Sequence, residues 1–120
     1  MRVIIAGGRD FNHYELLKEK MEYALKHITI SEIVSGGARG ADLLGERWAK
    51  ENNVPVKQFI PEWEKLGKSA GFIRNDDMAK YAMIGNKGVL MAFWDKKSKG
   101  TEHMIKTAQK KGLKVKVFYY

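Results

Sequence analysis

Arginines and small residues recur together in this chain at places where a strand gives way to a helix. The turns are Gly7-Gly8-Arg9-Asp10-Phe11, Ser35-Gly36-Gly37-Ala38-Arg39-Gly40-Ala41-Asp42, and Asp95 through Ser98-Lys99-Gly100-Thr101. A strand that ends in small residues and opens into a helix presents unpaired backbone N–H groups at the positive end of the helix dipole. That arrangement binds anions, phosphate above all. Arg39 adds a fork that can clamp a phosphate through two bonds, and Arg9 offers a second phosphate or base contact. Asp42, in the first helical turn, either accepts from a ribose hydroxyl or caps its helix. Phe11 either stacks on a base or staples its own helix. Thr101 suits a phosphate and suits a plain N-cap equally. Asp95, a carboxylate at the end of an apolar strand, is expected to meet a ligand hydroxyl or a neighbouring arginine. A fourth segment, Lys68-Ser69-Ala70-Gly71-Phe72-Ile73-Arg74-Asn75, opens a helix whose Arg74 and Asn75 can reach over such a site. The alternative for Arg74 is a surface pair with Asp77. None of these turns is the Gly-x-Gly-x-x-Gly dinucleotide fingerprint, and no Gly-Lys-Ser/Thr follows to make a P-loop.

The elements that must position these residues follow from hydrophobic pattern. Arg2–Ala6 is a short buried strand, continuous and β-branched. Residues 13–27 carry an apolar stripe at helical spacing, with Asn12 and Glu15 placed to cap its start. A strand over Glu32–Ser35 leads to a helix from Ala41 to about Asn52-Asn53. Val54–Ile60 alternates and contains Pro55, which marks a sheet edge. Residues 62–68 read as a loop or short turn anchored by Trp63, and 69–83 as a helix. Val89–Trp94 is the most hydrophobic run and reads as a central strand. Thr101–Lys111 forms a helix closed by Gly112, and Lys114–Tyr119 a half-exposed last strand. Strict alternation of strand and helix predicts one Rossmann-like α/β domain over 1–120, doubly wound, with a five-stranded, mostly parallel sheet of order 3-2-1-4-5. Ligands bind such sheets beyond the carboxyl ends of the strands, where the strand order reverses. In that order strands 2, 1 and 4 are neighbours, so the three turns following them are expected to meet in one crevice.

Composition narrows the classes. The 120 residues hold no cysteine, which excludes disulfides, thiolate catalysis and zinc–sulfur sites and favours a reducing compartment. His13, His27 and His103 have no metal-ligand spacing, so neither metal nor cofactor is expected. No apolar run approaches membrane-spanning length, and the first residues are too short for a signal-peptide core. A cytoplasmic protein is expected, in the host cytoplasm if phage-encoded. The net charge of +8 favours anionic partners. Much of the excess lies late, in Lys96, Lys97, Lys99, Lys106, Lys110, Lys111, Lys114 and Lys116, where solubility and binding are both adequate explanations. Trp48, Trp63 and Trp94 read as core or subunit contacts rather than base-stacking platforms.

Taken in order, Gly7-Gly8-Arg9-Asp10-Phe11, Val34 through Asp42, Gly67-Lys68-x-Ala70-Gly71-x-x-Arg74-Asn75-x-x-Met78 and Ala92-Phe93-Trp94-Asp95-x-x-Ser98-x-Gly100-Thr101 resemble the YspA-like family of the SLOG superfamily. The resemblance covers nearly the whole chain. It implies a Rossmann-like domain that binds nucleotides or ADP-ribose-like ligands, sensing or sequestering a nucleotide-derived signal. Members occur in bacteria and their phages, where capture of a host defence nucleotide is one version of that role. The superfamily also includes the LOG phosphoribohydrolases, which cleave nucleoside monophosphates with an arginine in Arg-Lys-x-x-Met and a glutamate in Pro-Gly-Gly-x-Gly-Thr-x-Glu-Glu. Arg74 through Met78 resembles the first, which makes Arg74 a catalytic candidate for N-glycosidic hydrolysis, with Asp95 the candidate to stand in for the glutamate. The second departs: His103 and Met104 stand where the glutamates belong. DprA, a further relative, suggests single-stranded nucleic-acid binding as another alternative. SLOG proteins commonly self-associate, and Trp63, Phe72 and Tyr81 can form a face for a homo-oligomer.

Overall fold

The computed structural model describes residues 1–120. Strand β1 (Arg2–Gly7) is followed by helix α1 (Tyr14–Leu25), β2 (Glu32–Ser35), α2 (Ala41–Glu51), β3 (Val56–Gln58), a short α3 (Trp63–Leu66), a 3₁₀ turn (Gly67–Ser69), α4 (Ala70–Ala82), β4 (Gly88–Trp94), α5 (Lys99–Lys110) and β5 (Lys114–Tyr119). The sheet order is β3-β2-β1-β4-β5. Every pairing is parallel, with Val3 beside Ile33 and Val89, and Gly7 beside Phe93. The 3-2-1-4-5 order expected from the sequence is the order found, in a sheet that is wholly parallel.

Alternation along the strands sends side chains to two separate cores. Val3 and Ile5 join Leu17 and Met21 of α1 and Trp48 of α2 on one face. Ile4 and Ala6 join Met78 and Ala82 of α4 and Met104 and Ala108 of α5 on the other. Val3, Ile4 and Ile5 are fully buried, as are Leu90 and Phe93. Burying each such side chain contributes about 1.5–3 kcal/mol, which fixes β1 and β4 as a rigid pair whose carboxyl ends lie side by side.

Three expectations are corrected. The edge strand contracts from Val54–Ile60 to Val56–Gln58, all exposed, because only Ile33 to Ser35 of β2 offer partners. Asn12 does not cap α1: the helix starts at Tyr14 with no side-chain cap, since Phe11 is already pulled into the core. Residues 63–69 take the short-turn alternative, as two short helical turns, but Trp63 is half exposed rather than an anchor. No helix is long and apolar enough to cross a membrane.

Candidate functional site

The first two turns are welded together. Gly8 N–H donates to the Phe93 carbonyl at 3.2 Å, and the Gly8 carbonyl accepts from Phe11 at 3.2 Å and Ala41 at 3.3 Å. The start of α2 is therefore held on the backbone of the β1 turn. Gly40 makes this possible: its φ is +84°, and a Cβ there would lie 2.7 Å from the Arg9 carbonyl carbon. In the β2 turn Ser35 is fully buried, with its hydroxyl donating to Glu46 at 2.6 Å and accepting from Gly37 N–H at 3.1 Å.

The third turn is built around Asp95. Its Oδ1 accepts from the amides of Lys97 and Ser98, each at 2.8 Å, which holds the carboxyl below the usual carboxylate range. Asp95 is thus partnered by its own turn rather than by an arginine. Ser98, not Thr101, caps α5: its hydroxyl accepts from Thr101 N–H at 3.3 Å, and Thr101 is buried within the first turn.

Helix α4 bridges the second and third turns. Arg74 Nη1 donates to the Gly36 carbonyl at 2.7 Å, and its Nε to Asn75 Oδ1 at 3.1 Å. Asn75 Nδ2 donates to the Gly100 carbonyl at 3.4 Å. Arg74 turns inward and makes no ion pair with Asp77. Burial, offset in part by the Asp42 carboxylate, holds its guanidinium below the usual range, and the positive charge of Arg9 adds to the depression.

These elements enclose a crevice of two adjoining cavities, of about 440 Å³ and 100 Å³, that share Arg9, Ala38 and Arg74. The outer cavity is walled by Gly36, Gly37 and Arg39 on one side and by Ile60, Pro61 and Trp63 on the other. The inner one takes Gly7 from the first turn, Asp42 from the second, Ser98, Gly100 and Thr101 from the third, and Asn75 from α4. Arg9, Arg39 and Arg74 have no ion-pair partner. Each turn also keeps two adjacent amides that donate to no protein acceptor: Arg9 and Asp10, Arg39 and Gly40, Lys99 and Gly100. Asp42 is buried, accepts from Ala38 N–H at 3.3 Å, and is pushed up to about 6 by its desolvation.

Other residues singled out in the sequence stand outside the crevice walls. Phe11 is 2% exposed and packs on Phe93 and Tyr120, so it is a staple and not a base platform. Asp10 accepts from the Tyr120 hydroxyl at 2.8 Å. Lys68 is exposed on the 3₁₀ turn and, like Gly8, Ser35, Gly40 and Asp95, lines neither cavity. The apolar wall of Ile60, Pro61 and Trp63 was not foreseen. Its one sequence signal is Pro61, which ends the edge strand and throws the next residues across the strand ends.

The first two turns fall inside residues 1–66, which match the family model described as "YspA, cpYpsA-related SLOG family". "Gene 61 protein" of Mycobacterium phage D29 is 39% identical over 120 residues, covering 95% of this chain and 93% of the phage protein. No solved structure matches at a significant level. The family match and the near full-length similarity to the phage protein agree with the fold, and the chain belongs to the YspA, cpYpsA-related SLOG family.

Proposed function

We propose that this protein binds a nucleotide or ADP-ribose-type molecule in the crevice at the strand ends, sensing or sequestering a nucleotide-derived signal. One observation carries the reading: three separate turns bring Arg9, Arg39 and Gly100, whose amides donate to no protein acceptor, into one crevice with three arginines that have no ion-pair partner. Like charges and unpaired donors held together by a rigid sheet are unfavourable until an anion joins them. The outer cavity, at about 440 Å³, lies in the range of small-molecule sites. Its two walls differ in kind, so phosphates would lie on the glycine turns and Arg9, Arg39 and Arg74, with a base against Trp63 and Pro61. Asp42 would accept from a ribose hydroxyl. Membership of a SLOG family supports a nucleotide-related ligand. The cysteine-free composition supports a cytoplasmic setting, that of the host if a phage encodes the protein. Isothermal calorimetry with ADP-ribose and nucleoside monophosphates tests the reading. At least one is expected to bind more tightly than ~1 mM, about −4 kcal/mol, and no binding across the set would refute it.

Asp42 favours a second reading, N-glycosidic hydrolysis. Cleavage through an oxocarbenium-like state benefits from a carboxyl group able to hold or release a proton. Asp95 is tied to its own turn, whereas Asp42 is buried in the inner cavity beside Arg74 with its ionisation displaced toward neutrality. This reading predicts free base released from nucleoside monophosphates and lost in Asp42→Asn. Chromatography showing no base after prolonged incubation would leave binding alone.

A further inference from the structure

A separate cavity of about 380 Å³, sharing no wall with the crevice, lies between α1 and β5. Lys114, Lys116 and Phe118 pair in register with Val89, Met91 and Phe93. Those three β4 residues belong to the core beneath α1 and α2. β5 therefore turns two exposed lysines toward the face that the helices cover elsewhere in the sheet. The helix side of the groove carries Lys20, Tyr23 and His27.

Charge and shape are both informative. No carboxylate lines the groove, and Lys20, Lys114 and Lys116 have no ion-pair partner. On the α4–α5 side, by contrast, Lys80 and Lys111 share Asp76 and Lys106 holds Glu102. Three unpaired lysines thus share this groove with no carboxylate among them. Among the lysines sit flat rings: Tyr23 is 60% exposed, with its ring 5.0 Å from that of His27, and Lys20 Nζ lies 5.4 Å over Phe118. No arginine is present to fork a carboxylate, which disfavours an acidic peptide. Lys114 and Lys116, two residues apart on one strand face, stand about 6.6 Å apart along the strand, the scale on which phosphates follow one another in an extended single strand.

We propose that the α1–β5 groove binds single-stranded nucleic acid, with phosphates on Lys20, Lys114 and Lys116 and a base stacked on Tyr23. Point charges beside exposed aromatic faces are the components such binding uses. The site is independent of the crevice and of its ligand.

Fluorescence anisotropy with a labelled oligothymidylate of ~15 nucleotides tests it. Between about 50 and 200 mM salt, three phosphate contacts predict a slope of log K against log salt of about −2. Lys114→Gln with Lys116→Gln is expected to remove most of that slope and to weaken binding at least tenfold at low salt. Tyr23→Ala is expected to weaken it roughly tenfold with the slope kept. All three positions are exposed, and thermal melts confirm that the variants fold. Arg39→Ala leaves oligonucleotide binding unchanged, and the lysine pair leaves nucleotide binding in the crevice unchanged. Absence of binding at low salt overturns the proposal. So does binding that survives the lysine substitutions but fails in Arg39→Ala, or a duplex bound as tightly and without sensitivity to Tyr23→Ala.

Discussion

Two arginines of the crevice do different work, and substitution separates them. Arg39 is exposed and holds no protein partner, so Arg39→Ala is expected to leave the melting temperature unchanged while weakening nucleotide binding at least tenfold, read by calorimetry. Arg74 also holds the Gly36 carbonyl, and Arg74→Ala is expected to cost about 1–3 kcal/mol of stability besides the affinity. Asp42 sets a pH dependence. Its carboxyl is pushed up to about 6 in the fold, above the ordinary value near 3.9 in an unfolded chain. Between those values the unfolded chain has released a proton that the folded one keeps, so stability falls as pH rises through this window. Above it the deficit levels off at roughly 3 kcal/mol. Asp42→Asn is expected to remove that loss, so urea melts should show the variant more stable than the parent at pH 7 and level with it near pH 4. A nucleotide affinity lowered by the same change would mark Asp42 as a residue kept for binding at the expense of stability. The arginines and the small residues around them were legible as types and spacing. What escaped was partnership. Arg74 looked equally able to pair with Asp77 three positions on, Asp95 looked free, and Phe11 looked as fit for a base as for the core. Each question is decided by backbone groups that no side-chain pattern encodes: the Gly36 carbonyl, the amides of Lys97 and Ser98, and the space beside Phe93.

At the level of elements, the site exists because a turn after β1 and a turn after β2 touch at Gly40, while the turn after β4 is bound in only through Asn75 and its strand. The glycines of these turns should therefore respond unequally. Gly40→Ala would drive a methyl into the Gly8–Arg9 backbone at a positive φ, and loss of several kcal/mol is expected in chemical denaturation. A Cβ on Gly100 meets nothing within 4 Å, so Gly100→Ala is expected to hold or raise stability by up to about 1 kcal/mol through helix propensity. A loss of nucleotide affinity in that stable variant would come from crowding at the α5 start. Strand and helix order was readable because β1 and β4 are continuous β-branched or bulky apolar runs and the helices carry clean stripes. The helical form of the turns at 63–69 was not, since four residues cannot display a helical period and the exposed Trp63 gives no burial signal.

Across the whole molecule, Lys80, Lys106 and Lys111 hold carboxylates on the α4–α5 side, whereas Lys20, Lys114 and Lys116 beside α1 and β5 hold none. Trp63, Phe72 and Ile73, each at least two-fifths exposed near the crevice mouth, make an apolar patch that suits self-association. Sedimentation velocity is expected to show a dimer or larger species that Trp63→Ala with Phe72→Ala returns to a monomer. Tyr81, named with them from the sequence, is held by Arg2 and donates to Glu32, so it serves the fold. Binding in the crevice requires backbone amides from three turns, those of Arg9, Arg39 and Gly100, to act on one ligand. Titration of ¹⁵N-labelled protein with ADP-ribose or a nucleoside monophosphate observes those amides directly. The expected result is shifts at Arg9, Arg39 and Gly100, one residue from each turn, that follow one saturation curve. Shifts in a single turn, or only at residues of α1 and β5, would contradict it.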